Sequence, residues 1–147
     1  MITVIPMARE HIAALAQLEK ECFSAPWSEN ALMEELSNPN AVFRVALKNG
    51  QVAGYVGMLH VLDEGDICNV AVFSQFRRQG IASALLQSLL DYAKEQKMAL
   101  ITLEVRESNQ GAQAFYRTMG FEFVGLRKNF YDKPREHGVL MSRSVEE

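Results

Sequence analysis

The chain has 147 residues, 48% of them hydrophobic, and a formal net charge of −3. That length suits a single domain spanning residues 1–147, which can bury roughly two thirds of its unfolded surface without metal or disulfide staples. The acidic balance argues against a phosphate-tracking nucleic-acid surface, no run approaches the twenty or so apolar residues of a membrane span, and the basic-then-apolar pattern of an export signal is missing, so a cytoplasmic protein is expected.

Ile2-Thr3-Val4-Ile5 read as a short strand ending at Pro6. Between 8 and 22, Ile12, Leu15, Leu18 and Cys22 recur at helical spacing. Pro26-Trp27-Ser28 breaks that helix, and Ser28 is placed to cap a second one carrying Leu32 and Leu36, which stops before Asn38-Pro39. Residues 42–48 and 51–61 read as strands joined by Asn49-Gly50, a strong hairpin signal. Asp63-Glu64-Gly65-Asp66 is expected to form a polar turn before a strand at about 67–73.

A helix over about 80–97 follows, with Ile81, Leu85, Leu86, Leu89, Leu90 and Ala93 on one face. In the strand expected at 100–105, Ile101, Leu103 and Val105 alternate with Thr102 and Glu104. Asn109 can cap a helix bearing Ala112, Phe115 and Met119, with Gly120 just past its end. Strands at 121–126 and 139–145 complete the pattern, separated by a polar loop at 132–138. Alternating strands and helices indicate an α/β domain: a mixed sheet of about seven strands flanked by about four helices.

Cys22 and Cys68 fall in apolar patterns and are read as reduced core residues. No metal-ligand spacing links them to His11, His60 or His137, so no metal is expected. Trp27 suits either a plug over the sheet or a wall of a peptide groove, while Glu34, Glu35, Asp63 and Glu64 read as surface charge able to attract a basic peptide.

The segment Val70-Ala71-Val72-Phe73-Ser74-Gln75-Phe76-Arg77-Arg78-Gln79-Gly80-Ile81-Ala82 is the most informative. A β-branched run hands over to a helix N-terminus, where unpaired N–H groups and the positive end of the helix dipole favour an anion. Gly80 permits close backbone approach, Ala82 keeps the next turn open, and Arg77 and Arg78 add charge. These residues suit a pyrophosphate-bearing cofactor. If the strands ending near Val72 and Val105 are neighbours that splay, an extended ligand arm could enter between them.

Arg77-x-x-Gly80-x-Ala82 resembles the Q/R-x-x-G-x-G/A loop of the GNAT superfamily of acyl-CoA-dependent N-acetyltransferases. Four further segments resemble its RimI-like branch, which acetylates a ribosomal protein's N-terminal alanine. They are Pro26-Trp27-Ser28-Glu29, Asn69-Val70-Ala71-Val72, Leu103-Glu104-Val105-Arg106-x-Ser108-Asn109 and Ala114-Phe115-Tyr116-x-x-x-Gly120-Phe121. The resemblance implies a splayed sheet with acetyl-CoA as co-substrate. Val70, Ala71 and Val72 would meet the pantetheine arm, Arg77, Arg78, Gln79, Gly80, Ile81, Ala82 and Ser83 the pyrophosphate, and Asn109 the pantetheine region. It further implies Glu104 as general base, Tyr116 as general acid and a backbone N–H at or near Val70 as oxyanion donor. The chain departs from that branch at Phe130-Tyr131 and Glu136-His137, where paired tyrosines and Glu-Asp are usual and where the peptide should be gripped.

The implied roles suit the chemistry. An α-amine near pKa 8 costs only about 1 kcal/mol to deprotonate at pH 7, against roughly 4–5 kcal/mol for lysine, so one glutamate is an adequate base. A phenol can protonate the departing thiolate. From the residues alone, Glu104 reads as a solvated strand residue, and a core aromatic beside Phe115 is the alternative for Tyr116. The expected substrate is the N-terminal peptide of a ribosomal protein, small-subunit protein eighteen, met by a monomer without nucleic acid or membrane. The alternatives are transfer to lysine side chains or small amines, and a coenzyme A-binding module without turnover.

Overall fold

The computed structural model of the chain describes residues 1–145. Its strands are β1 (Ile2–Pro6), β2 (Ala41–Lys48), β3 (Gln51–Val61), β4 (Glu64–Val72), β5 (Leu100–Arg106), β6 (Glu122–Tyr131) and β7 (Glu136–Ser144). Its helices are α1 (Ile12–Cys22), α2 (Glu29–Glu35), α3 (Ile81–Glu95) and α4 (Gln110–Thr118). The strands form one mixed sheet in the order β1-β2-β3-β4-β5-β7-β6. Among the described residues β4–β5 is the only parallel pair, as a strand–helix–strand crossover through α3 requires.

Each face of the sheet carries its own apolar cluster. On one, α3 lays down the expected stripe Ile81, Leu85, Leu86, Leu89, Leu90 and Ala93 against Val56, Ile101, Leu103 and Val105, with Tyr116 and Phe121 from the α4 region. On the other, Ile12, Leu15 and Leu18 of α1 and Leu32 of α2 pack on Phe43, Val45, Tyr55 and Ala71. Burying one such side chain contributes about 1.5–3 kcal/mol, so these two layers dominate the stability.

Local signals act as the sequence suggests at several ends. Ser28 Oγ accepts the Ala31 N–H at 3.1 Å, and Asn109 Oδ1 accepts the Ala112 N–H at 3.0 Å. Asn49 and Gly50 both have positive φ, 52° and 83°, in the tight turn between β2 and β3.

Four expectations need correction. The helix over 8–22 opens as a 3₁₀ turn at Arg9–His11, where His11 Nδ1 accepts the Ala8 N–H at 2.9 Å. β4 begins at Glu64 rather than 67, because β3 and β4 form a hairpin through Leu62-Asp63 with Leu62 at φ 57°. That turn lacks the glycine that would announce it. The loop expected at 132–138 shrinks because β6 runs on to Tyr131 and β7 starts at Glu136. Cys68 is exposed rather than buried: β4 bulges there, with Gly57 paired to Asn69 and Met58 to Ile67, so Cys68 is skipped by the ladder while Ile67 and Asn69 turn into opposite layers.

Candidate active site

β4 and β5 stay paired only from Glu64↔Leu100 to Ile67↔Leu103. Beyond that point both continue, β4 to Val72 and β5 to Arg106, so they diverge with their facing edges unpaired. β4 remains bonded to β3 on its other side through Val72. The gap opens into a cleft of about 820 Å³, lined among others by Asn69, Val70, Ala71, Val72, Glu104, Asn109, Tyr116 and Tyr131. Free N–H and C=O groups on diverging edges suit an extended amide-bearing ligand.

A second, narrower pocket of about 290 Å³ adjoins it at the start of α3 and shares Val72, Arg77, Ala82 and Phe115 with it. Arg78, Gly80, Ile81, Ala82 and Ser83 line it. Arg78 and Gly80 have φ of 63° and 82°, which turn the backbone sharply before the helix. Ala84 N–H closes the first turn on the Gly80 carbonyl at 3.0 Å, leaving the Ile81, Ala82 and Ser83 amides without intrahelical acceptors. Nothing lies within 4 Å of where a Gly80 Cβ would stand. The result is a concave set of amides at the positive end of a helix dipole.

The remaining loop residues behave differently. Arg77 folds back, donating from Nε to the Val72 carbonyl at 3.3 Å and lying 3.7 Å from Cys22 Sγ. That carbonyl is therefore already engaged, and since the Phe73 N–H bonds the Ala53 carbonyl at 2.9 Å, alternation turns Ala71 toward β3 and leaves Val70 to offer the freer backbone groups. Gln79 donates to the Gln75 carbonyl at 3.2 Å and so stiffens the loop.

Glu104 and Tyr116 reach the cleft from opposite sides of the sheet. Alternation along β5 buries Ile101, Leu103 and Val105 against α3 and turns Glu104 to the other face. Tyr116, only 9% exposed, comes from α4 through the first cluster and packs on Phe115 and Phe121. Burial raises the Glu104 carboxyl above its ordinary range; Arg127 beside it pulls it down and Asp66 adds to the rise. Burial, with a smaller contribution from Tyr131, pushes the Tyr116 phenol up to about 12. Tyr131 is likewise pushed up to about 12, by burial and then by Glu104. Both phenols thus hold their protons at neutral pH.

Three features lie beyond the sequence reading. Arg127 on β6 pairs with Glu104, NH1 to Oε2 at 3.0 Å; only the sheet order, which brings β6 in by way of β7, creates that contact. Glu19, 1% exposed, accepts from the Trp27 N–H at 2.9 Å, the Tyr55 hydroxyl at 2.6 Å and the Asn69 amide at 3.1 Å. Its place on the apolar stripe of α1, four residues after Leu15, was the available signal. Arg106 clamps the β6–β7 turn through Glu136 at 3.1 Å and the Asp132 and Pro134 carbonyls at 2.8 and 2.9 Å.

That clamp reassigns the departures near the C-terminus. Phe130 and Tyr131 line the cleft, whereas Glu136 binds Arg106 and the Ser108 N–H, and His137 Nδ1 accepts the Asn129 N–H at 2.9 Å. His137 therefore supports backbone rather than facing the cleft. Trp27 packs on Phe43 at 6.1 Å between centroids, as a plug over the sheet would, and also lines the cleft. Among the described residues no His/Cys/Asp/Glu group could hold a metal, and no helix is long and apolar enough to cross a membrane.

Residues 12–121 match the acetyltransferase (GNAT) family. The chain is 34% identical over 142 residues to a Bacillus subtilis (strain 168) protein provisionally named a ribosomal protein bS18-alanine N-acetyltransferase, covering 96% of this chain and 94% of that one. It is 31% identical over 147 residues to the ribosomal protein bS18-alanine N-acetyltransferase of Escherichia coli (strain K12), covering 99% of each. Its fold superposes on the crystal structure of the ribosomal-protein-S18-alanine N-acetyltransferase from Escherichia coli with a TM-score of 0.92 at 30% identity, covering 100% of this chain and 96% of the other.

Proposed function

The chain belongs to the acetyltransferase (GNAT) family, and from that premise we propose that it transfers the acetyl group of acetyl-CoA to a protein's N-terminal α-amine, that of the alanine opening ribosomal protein bS18. The observation that carries this reading is the cleft itself: β4 and β5 part beyond Ile67 and Leu103, and Glu104 and Tyr116 enter the gap from opposite faces. Near-full-length similarity to relatives named for bS18-alanine acetylation supports the choice of acceptor. In this reading the enzyme acts as a cytoplasmic monomer on a peptide, without nucleic acid or membrane.

The residues fit acetyl-CoA. The amides of Ile81, Ala82 and Ser83, with Arg78 beside them, suit its diphosphate. The free edge of β4, where alternation turns the backbone groups of Val70 and the Val72 N–H to the cleft, and the Asn109 side-chain amide suit the pantetheine arm. Acetyl-CoA supplies a thioester carbonyl as electrophile.

Glu104 accepts the proton that the acceptor ammonium must lose, directly or through water, freeing the nitrogen lone pair to form the new C–N bond. A backbone N–H of β4 near Val70 stabilises the charge gathering on the carbonyl oxygen. Tyr116 gives its proton to sulfur as the C–S bond breaks, so coenzyme A leaves as the thiol. As the tetrahedral intermediate collapses the nitrogen sheds its second proton to solvent, and solvent carries the proton held by Glu104 to the phenolate, so amide, coenzyme A thiol and one proton are released.

The test is incubation of the purified protein with acetyl-CoA and a peptide copying the N-terminus of bS18, followed by intact mass and fragmentation. A gain of one acetyl group on the α-nitrogen supports the proposal; acetylation confined to lysine, or none, overturns it.

A further inference from the structure

We infer that Arg127 is a specificity residue: a fixed cation beside Glu104 that favours amines which give up their proton readily, and so α-amines over lysines. The inference rests on the reading of Glu104 as proton acceptor given above.

The geometry separates the pair's two members by role. Glu104 has a side chain only 14% exposed, while Arg127 is 56% exposed and lies 3.0 Å from Oε2. Arg127 lies over the Phe130 ring at 5.3 Å, which restricts where its guanidinium can go. It is held opposite Gly138 of β7, and Gly138 lies opposite Arg106 of β5. A side chain at Gly138 would meet the Phe130 ring at 3.2 Å, so the glycine leaves room for the ring that backs Arg127.

The other cation nearby is not available to Glu104. Arg106 is occupied by Glu136 and by the Asp132 and Pro134 carbonyls, and its guanidinium lies 4.6 Å from the Tyr131 ring centre. Of the remaining groups facing Glu104, Asp66 accepts from the Thr102 hydroxyl at 3.1 Å and Tyr131 carries a phenol. Arg127 therefore supplies the compensating charge.

A half-buried carboxylate without a counter-ion would attract any ammonium, and lysine would profit as much as an N-terminus. With the guanidinium in place the pair is close to neutral, and that attraction is largely cancelled. What then distinguishes acceptors is how readily each loses its proton. The pKa gap between an α-amine and a lysine makes the free-amine fraction about 300-fold larger for the former near neutral pH. Arg127 keeps that ratio intact; without it, Glu104 would bind lysine ammonium groups directly and narrow the gap.

The experiment compares kcat/KM at pH 7.5 for two peptides, one with a free N-terminal alanine and no lysine, the other N-terminally blocked with a single lysine. Arg127→Gln is expected to narrow the α-to-ε ratio at least about fivefold and to move the acid limb of the alanine-peptide profile to higher pH, whereas Arg127→Lys keeps the wild-type ratio. Arg127→Met serves as a second neutral variant should the glutamine form not fold. A ratio within twofold of wild type in the neutral variants, or equal loss with Arg127→Lys, overturns the inference. Glu104→Gln, run alongside, separates the two ideas: wild-type turnover there overturns the base assignment itself and this inference with it, while its loss leaves the Arg127 ratios to decide.

Discussion

The Tyr55 hydroxyl donates to Glu19 Oε2 across 2.6 Å of protein interior, tying the centre of β3 to the last turns of α1. The same carboxyl group fixes the Trp27 backbone in the α1–α2 connection and Asn69 at the point where β4 leaves β5. One buried side chain thus joins β3 to two segments that border the cleft. Replacing it by an apolar isostere strands three donors, each costing about 1–3 kcal/mol. Glu19→Leu should therefore lose about 3–5 kcal/mol in urea denaturation, and Tyr55→Phe, which removes one donor, about 1–2 kcal/mol. Equal losses in the two variants would show that the carboxyl group is not the hub.

The sequence carried those parts of the fold whose signals are local. The α3 stripe, the Ser28 and Asn109 caps and the Asn49-Gly50 turn each depend on a few neighbouring residues, and each forms as expected. The Leu62-Asp63 hairpin was hidden because a leucine holds positive φ there, with the flanking β3–β4 ladder setting the turn. The Glu104–Arg127 pair was hidden for another reason: β6 reaches β5 only through β7, and spacing along the chain does not reveal that register. Resemblance pointed to Glu104 and Tyr116, and geometry adds that both line the cleft where β4 and β5 part.

Glu104 can take a proton only when ionised, and burial raises its carboxyl above the ordinary range, an effect that Arg127 offsets in part. The sign follows directly. Activity is lost as pH falls through that raised value, so the acid limb of kcat/KM should lie above the usual glutamate position of about 4.3. Glu104→Gln should remove the limb and lower kcat/KM by roughly 10²–10⁴-fold while acetyl-CoA still binds in calorimetry. An unchanged limb in that variant would assign the titration to another group.

Tyr116 and Tyr131 both hold their protons to about pH 12, so neither should produce an alkaline limb below about pH 10. They differ in placement. Tyr116 is enclosed between Phe115 and Phe121, whereas Tyr131 sits at the rim against Arg106. Tyr116→Phe is expected to reduce kcat about 10²-fold with little change in peptide KM, and Tyr131→Phe to act chiefly on peptide KM. Should Tyr131→Phe lose more kcat, the proton donor is Tyr131.

Asn109 has two tasks that substitution can separate. Its Oδ1 caps α4 through the Ala112 N–H at 3.0 Å, leaving only the side-chain NH₂ to face the cleft. Asn109→Ala loses the cap, which costs about 1 kcal/mol of stability, and loses the amide donor as well. Asn109→Asp keeps an oxygen for the cap and places a negative charge at a helix N-terminus, where it is favourable, so stability should stay at or above wild type. What it removes is the donor, and it sets a carboxylate where a ligand carbonyl would otherwise be met. Acetyl-CoA affinity by calorimetry should therefore fall in both variants, while thermal stability falls only in the alanine form. If Asn109→Asp binds acetyl-CoA as the wild type does, Asn109 is a helix cap and nothing more, and the pantetheine arm is held by the β4 edge alone.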